Sequence, residues 1–300
     1  MRTELQRSLL AAAFAVVSLS TSQADAFCRT TTQREAPDYL PPDGSGCLPG
    51  TPLYLPSQCF PYRLTREVPV ISNAVLSDKL ARAFAAWTTP NSNCTPGITP
   101  IELAPLSTPL TVGYNVSQPA QNLVGVRADW ENEPGEADNL GRTTVTYNHT
   151  TGAILDVDLE LNGSVDWSFD DTPPADKIDL LSVLSHEVGH MIGIGHSSVA
   201  DAAMSPLYVP GSIEARTLKA DDQAAICTVY PNRLQRLAES GPIASTPCAL
   251  APGNADGSCA APEISHGCSM SAPSSGTSRA AGVGFLVVAL ATASRRRRVR

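Results

Sequence analysis

The alternation of apolar and polar positions predicts a series of short β-strands in the first half of the chain. Successive side chains of a strand point to opposite faces, so a strand with one buried face alternates in this way. The predicted strands span residues 60–66, 98–103, 110–114, 123–128, 142–147 and 153–161. Turns rich in Pro and Asn separate most of them, as is typical of neighbouring strands.

Apolar residues that recur every three or four positions predict three helices. The predicted helices span residues 73–87, 179–193 and 218–230. Ser72 or Asn73 can cap the first helix. Asp221 and Asp222 suit the N-terminus of the last helix, which Pro231 ends.

The predicted strand 153–161 has an acidic face. Its alternation places Asp156, Asp158 and Glu160 on one side and aliphatic residues on the other. We expect the aliphatic side to face the core and the acidic side to face solvent. A calcium ion bound by these carboxylates is the alternative, because hard oxygen ligands suit that cation.

The clearest chemical signal is the sequence HEVGHMIGIGH at residues 186–196. Residues four apart share one face of a helix, so His186 and His190 are expected to point at the same place. Gly193 would let the backbone leave the helix, so that His196 can return as a third ligand. Three histidines leave the fourth position of a zinc ion open, which is typical of a catalytic site.

Glu187 follows the first of these histidines and lies where it can act as a general base toward a water at the metal. The alternative is a buried amphipathic helix whose histidines fall at helical spacing by chance. Three of the five histidines of the chain lie in this segment, which favours the metal site.

The N-terminal residues 1–26 have the pattern of a secretory signal peptide. Two arginines precede an apolar run, and Ala24–Asp25–Ala26 forms a small-x-small cleavage pattern. Export of the chain to the cell surface or the extracellular space is therefore expected.

A second apolar run covers residues 280–293, and five arginines follow it. As a helix it would extend about 21 Å, which makes it a marginal membrane span. Together with Cys268, residues 268–300 resemble the C-terminal sorting signal of myxobacterial surface proteins. The membrane is expected as a partner only through this segment, before processing, and a plain tail anchor is the alternative.

Charge and cysteine content agree with export. Residues 27–267 hold 27 acidic and 13 basic residues, so nucleic acid is a poor partner for this surface. Eight cysteines in an exported chain favour disulfides. Cys248 with Cys259 is one plausible pair and Cys94 with Cys227 another, and the sequence leaves the pairing open.

Three parts are expected between the two ends. Residues 27–59, dense in Cys, Pro and Gly, are predicted to form an extended N-terminal extension that is pinned by cysteines but not packed as a unit. Residues 60–231 carry the predicted helices and strands. Residues 232–267, rich in Ser, Pro and Ala, are predicted to be a flexible linker. Nothing in the sequence implies an oligomer.

Residues 60–231 resemble the metzincin zinc endopeptidases and, among them, the matrixins. Four segments carry the resemblance in the order found in that family: AFAAW at 83–87, the histidine motif at 186–196, MSPLY at 204–208 and LKADD at 218–222. The resemblance implies an α+β fold with a mixed twisted sheet, a long active-site helix and a C-terminal helix.

The resemblance also implies residue roles. His186, His190 and His196 match the ligands of one catalytic zinc ion, and Glu187 matches the catalytic acid/base. Met204 matches the methionine beneath the zinc-bound imidazoles, an ordinary core methionine being the alternative. Pro206 and Tyr208 match the wall of the pocket for the substrate residue after the scissile bond. The strand 141–147 matches the edge strand that takes an extended peptide antiparallel.

The chain departs from the family in three ways. No Pro-Arg-Cys-Gly segment precedes residue 60, so latency through a thiol on zinc is not expected. Only His149 and His266 remain outside the motif, too few for the family's structural zinc site. Pro206 stands where astacin-like relatives have a tyrosine ligand, so none is expected here. The requirement for calcium stays open.

The sequence therefore predicts a secreted or surface-anchored zinc-dependent endopeptidase that acts on protein or peptide substrates. A zinc-activated water would attack the peptide bond, and Glu187 would move the proton. The first alternative is a non-catalytic zinc-containing surface binding module, against which the intact Glu187 argues. The second is a structural component of the cell envelope whose histidines only fill the core.

Overall fold

The computed structural model describes residues 26–33, 47–91, 93–114, 120–130 and 139–248, together with the backbone of residues 283–291. Within them, the α-helices are α1 (Asn73–Thr88), α2 (Leu180–Met191) and α3 (Ala220–Val229). The strands of the first half are β1 (Phe27–Arg29), β2 (Cys59–Leu64), β3 (Thr99–Leu103), β4 (Leu123–Arg127), β5 (Asn139–Asn148) and β6 (Ile154–Asn162). Those of the second half are β7 (Trp167–Ser168), β8 (Ile178–Asp179), β9 (Ile194–Ser197), β10 (Gln235–Ala238), β11 (Gly241–Ala244) and β12 (Val283–Ala291).

Six of these strands form one mixed sheet in the order β12-β5-β6-β4-β2-β3. The strands β3, β2, β4 and β6 run parallel to their neighbours, whereas β5 is antiparallel to β6. The sheet and the helices confirm the predicted α+β fold class. The three predicted helices and five of the six predicted strands are present, each with ends shifted by a few residues at most.

The main core lies between the sheet and helices α1 and α2. The apolar stripe of α1 is buried, and the ring of Phe84 packs 5.5 Å from Phe60 and 5.3 Å from Tyr62 on β2. The indole N–H of Trp87 donates to the carbonyl oxygen of Ser185 at 2.7 Å, which fixes α1 against α2. The side chain of Ser72 caps α1, as one of the two predicted caps.

The N-terminal extension packs on this core, which differs from the expected unpacked leader. Strand β1 pairs antiparallel with β9, and Cys28 is bonded to Cys47. Leu53 is fully buried, and the backbone N–H of Leu55 donates to the hydroxyl of Tyr230 at 2.9 Å. Apolar residues between the turn-forming Pro and Gly residues therefore anchor the described part of this extension.

The predicted strand 110–114 is wrong, since these residues form no strand. The backbone N–H of Gly113 donates to the carboxylate of Asp158 at 2.8 Å instead of joining a strand ladder. A side-chain carboxylate on β6 therefore replaces the backbone partner that a strand would need.

The expected solvent-facing acidic side of β6 is also wrong, because Asp156, Asp158 and Glu160 are buried. Backbone N–H groups of residues 113 and 121–123 donate to the two aspartates, and Glu160 forms ion pairs with Arg127 and Arg142. Burial, followed by the charge of Asp156, raises the pKa of Asp158 to about 7. The acidic face thus holds together the neighbouring loop and strands.

The expected flexible linker begins as a folded hairpin, in which β10 pairs with β11. The guanidinium of Arg236 is buried and donates to backbone carbonyl oxygens, including those of Leu55 at 3.1 Å and Pro96 at 3.0 Å. It also lies 4.9 Å from the centre of the Tyr230 ring. Carbonyl dipoles and an aromatic ring face therefore stabilise the buried charge of Arg236.

The disulfides of the described residues correct one predicted pair and confirm another. Cys248 is bonded to Cys59, so its predicted pairing with Cys259 is wrong. Cys94 is bonded to Cys227, as predicted. Cys259 and Cys268 lie outside the described residues.

The apolar run near the C-terminus contributes β12, a strand where a short helix was expected. It pairs antiparallel along the outer edge of β5 from Asn148 to Asn139. Across the described ranges, none of the helices has the length and apolar character needed to cross a bilayer. Residues 1–25 of the predicted signal peptide and most of the predicted sorting segment lie outside the described residues.

Candidate metal centre

Helix α2 carries the first two histidines and is buried along its whole length. Asp179 caps it by accepting a hydrogen bond from the backbone N–H of Ser182 at 2.8 Å. The guanidinium of Arg216 pairs with the same carboxylate at 2.7 Å. A buried capping carboxylate held by a partly buried arginine fixes the start of the helix and, through it, the positions of His186 and His190.

The third histidine reaches the same point by the predicted bend. Gly193 has a φ of +85°, a left-handed conformation that suits glycine, and the chain then runs back as β9. The ring centres of His186, His190 and His196 lie 4.6 to 5.2 Å apart. One ring nitrogen from each histidine lies within 4.8 Å of the others, so the trio can share one ion.

Backbone carbonyl oxygens determine which ring nitrogen carries the proton in two of these histidines. Nδ1 of His186 lies 2.8 Å from the carbonyl oxygen of Ala203, and Nδ1 of His190 lies 2.9 Å from that of Ile194. A carbonyl oxygen can only accept a hydrogen bond, so each Nδ1 carries the proton when the ring is neutral. Each Nε2 then presents a free lone pair. These two Nε2 atoms face each other at 2.9 Å, an arrangement that a cation between them would stabilise.

The environment keeps these imidazoles neutral. Burial, together with the neighbouring His196, lowers the pKa of His186 to about 3. Burial also lowers the pKa of His190 well below its usual value, and the two other histidines lower it further. Neutral imidazole is the form that binds a metal. The site therefore favours a bound metal cation over protonation of the imidazole rings.

The side chain of Glu187 lies between α2 and strand β5. Its Oε2 atom accepts a hydrogen bond from the hydroxyl of Thr143 at 2.6 Å, and both residues are fully buried. Its Oε1 atom lies close to Gly141, where an added Cβ would come within 2.8 Å. The carboxylate of Glu187 is thus held against β5.

Met204 lies in a turn that packs against helix α2. It is fully buried, and a side chain at Gly189 on α2 would collide with its sulfur atom. The carboxylate of Asp222 on α3 accepts hydrogen bonds from the backbone N–H groups of Ala203 at 2.8 Å and Met204 at 3.1 Å. Burial raises the pKa of Asp222 to about 6 despite these hydrogen bonds.

Residues 57–231 match the sequence profile of the family described as Matrixin. This segment is more than half of the chain and contains both the histidine trio and the turn at Met204. The chain belongs to the matrixin family. Matrixins use a catalytic zinc ion, and the neutral, convergent histidines of this matrixin fit that ion.

Similarity to individual matrixins covers shorter segments. The chain is 40% identical over 74 residues to Metalloendoproteinase 4-MMP of Arabidopsis thaliana, which covers 24% of this chain and 21% of that protein. It is 39% identical over 72 residues to Karilysin of Tannerella forsythia, 24% of this chain and 14% of that one. It is 27% identical over 179 residues to Interstitial collagenase B of Mus musculus, 58% and 33% of the two chains. The alignments thus span at most about a third of these relatives.

The third histidine of this matrixin is braced by the N-terminal strand. Thr30 donates its N–H to the carbonyl oxygen of Gly193 at 3.0 Å, and Phe27 pairs with Ser197. Asp221 on α3 accepts hydrogen bonds from the N–H of Phe27 at 3.1 Å and from the hydroxyl of Ser197 at 2.5 Å. Strand β1 and helix α3 therefore hold the segment that carries His196 from two sides.

A cavity of about 160 Å³ lies beside His186. Tyr208 lines it and lies among polar neighbours, its hydroxyl donating to the carbonyl oxygen of Ser212 at 2.7 Å and accepting from the N–H of Asp179 at 3.0 Å. Pro206 is buried and is not one of the lining residues, although both of its neighbours, Ser205 and Leu207, line the cavity.

Sequence reasoning missed two contributors to this site. Thr143 was part of a predicted strand. The alternation of residues in a strand does not show which residue of a helix a given side chain will contact. Asp222 was predicted only to begin the last helix, and it also holds the turn at Met204. The adjacent acidic pair at residues 221–222 was the available signal, since only one carboxylate is needed to cap a helix.

Proposed function

We propose that this matrixin is a secreted zinc-dependent endopeptidase. The observation that carries the proposal is the pair of facing Nε2 atoms of His186 and His190, with His196 in the same group. Glu187 directly follows His186 on the same helix. When bound, zinc supplies the Lewis acidity that polarises a peptide carbonyl and acidifies the attacking water.

The histidines His186, His190 and His196 would hold the zinc through one ring nitrogen each. Glu187 is assigned the proton transfers. Its carboxylate accepts the proton of the attacking water and then delivers it to the nitrogen of the leaving amine. The place of Glu187 in the chain supports this role, because it directly follows the proposed ligand His186 on the buried helix α2.

The remaining assigned residues shape the site without moving protons. Met204 supports the histidines from below, where a soft apolar side chain packs without competing for the metal. Tyr208 forms part of the pocket wall for the substrate residue after the scissile bond. Pro206 shapes the same wall by fixing the backbone between Ser205 and Leu207.

The substrate peptide would pair antiparallel with β5, the strand that holds Glu187. In this structure β12 takes that antiparallel position along β5. A substrate would therefore have to replace β12, and the C-terminal segment is expected to limit access to the site until it is displaced or removed.

Export is part of the proposal. It rests on the signal-peptide pattern of residues 1–26 and on three disulfides among the described residues, which persist in oxidising compartments. The C-terminal pattern adds surface display, with residues 268–300 engaging the membrane before processing.

Chelation tests the proposed activity against the alternative of a non-catalytic zinc-containing module. The full secreted chain is incubated with casein, with a chelator, and with the chelator followed by excess zinc. We expect cleavage that the chelator stops and zinc restores. Protein that contains one zinc ion per chain and cleaves neither casein nor a peptide library would favour the binding module instead.

A further inference from the structure

We infer that Thr143 is a positioning residue for Glu187, an inference that rests on the proposed proton transfers. Thr143 lies on β5, and its hydroxyl donates to Oε2 of Glu187 at 2.6 Å. Its side chain is fully buried, so water does not compete for the carboxylate at this contact. Hydrogen bonds from a neutral donor to a charged acceptor are among the stronger ones in proteins.

The register of β5 explains why this one strand can hold both oxygens of the carboxylate. Residues two apart point to the same face, so Gly141 and Thr143 both face α2. Thr143 binds Oε2, and Oε1 lies against Gly141, where the absence of a side chain leaves room for it. With one oxygen bonded and the other seated against the backbone, the plane of the carboxylate is fixed.

A fixed carboxylate plane matters because a proton is transferred only over a short, aligned path. In the proposed reaction the same carboxylate serves two partners, the attacking water and then the leaving nitrogen. The Thr143 hydroxyl does not touch either of them. It acts by keeping Glu187 in the one orientation that serves both steps.

The test compares Thr143→Val, Thr143→Ser and Thr65→Val in the full chain. Valine keeps the shape of threonine and removes the hydroxyl, whereas serine keeps the hydroxyl. Thr65 is the matched control, since it is a buried threonine outside both β5 and helix α2. We expect Thr143→Val to lower kcat about tenfold with little change in KM or zinc content. Thr143→Ser and Thr65→Val should stay close to the parent chain.

Two results would overturn the inference on kinetic grounds. One is an unchanged kcat for Thr143→Val. The other is a loss for Thr143→Ser as large as that for Thr143→Val, because a hydroxyl would then not be the group that matters.

A second measurement does not depend on turnover. The thermal midpoint of the zinc-free protein is measured for Thr143→Val, Glu187→Ala and the double variant. We expect Thr143→Val to lower the midpoint when Glu187 is present and to have little effect when it is absent. Equal shifts in both backgrounds would mean that the hydroxyl does not act through Glu187. If the parent chain cleaved no peptide, the proposed function would fail, while this cycle would still test the contact.

Discussion

The carboxylate of Asp222 accepts a hydrogen bond from the backbone N–H of Ala203 at 2.8 Å. The carbonyl oxygen of Ala203 in turn lies 2.8 Å from Nδ1 of His186. One residue, Ala203, therefore connects helix α3 to a proposed zinc ligand. Partners of this kind fix the tautomer and the direction of the ligand.

This connection predicts that Asp222→Asn weakens zinc binding. An amide has one acceptor oxygen, whereas the carboxylate serves the N–H groups of Ala203, Met204 and Lys219. We expect an increase of about tenfold in the dissociation constant for zinc, measured by competition with a chelator. Asp78→Asn, at an exposed position on α1, is the control. Equal affinities for the two variants would show that the turn keeps its place without Asp222.

The bend after α2 should depend on Tyr230. Its hydroxyl donates to the carbonyl oxygen of Ile192 at 2.6 Å and accepts the N–H of Leu55 at 2.9 Å, all within the core. Tyr230→Phe would leave both backbone groups buried without this partner. We expect the free energy of unfolding to fall by about 2 kcal/mol in urea titrations. A change within about 0.5 kcal/mol would indicate that water or another group replaces the hydroxyl.

Stability should depend on pH through Asp158. Burial raises its pKa from 3.8 to about 7, so between these values the folded chain binds more protons than the unfolded chain. The contribution of the protonated group is complete below the lower value and is lost as the pH rises through the higher one. We expect Asp158→Asn to reduce the loss of unfolding free energy between about pH 4 and pH 7.5. Asp176→Asn, at an exposed position, is the control. The assignment would be contradicted if the unfolding free energy fell equally steeply with pH in the parent chain and in Asp158→Asn.

Access to β5 should increase when the C-terminal segment is removed. A chain that ends at Cys248 keeps the disulfide to Cys59 and lacks β12. We expect a higher kcat/KM for a peptide substrate, because the antiparallel position along β5 is then open. Val287→Pro in the full chain is the second variant, since proline cannot donate to a strand ladder. Identical kcat/KM values for all three proteins would mean that β12 does not restrict the site.

The parts of this fold that the sequence predicts are those set by local periodicity and by short motifs. The spacing of Leu76, Leu80, Phe84 and Trp87 predicts α1, and the buried stripe of that helix confirms it. The four-residue spacing of His186 and His190 and the bend at Gly193 are local in the same sense. Each of these predictions depends only on residues that lie close together in the sequence.

The features that sequence reasoning missed depend on distant partners. Cys59 and Cys248 are 189 residues apart, and no local pattern brings them together. The acidic face of β6 was predicted to be exposed. The alternation of polar and apolar residues separates the two faces of a strand, but it does not show that a distant loop covers one of them. Thr143 was missed for the same reason, since its partner is on a helix more than 40 residues away.

The central claim is that three histidines hold one zinc ion beside a carboxylate that moves the proton. Its most direct test is the rate of peptide cleavage by Glu187→Gln, measured on protein whose zinc content has been determined. Glutamine keeps the size of the side chain and cannot take up the proton. The account predicts one zinc ion per chain, as in the parent protein, with a rate at least about a hundredfold lower. Cleavage at the parent rate by the zinc-containing variant would contradict it.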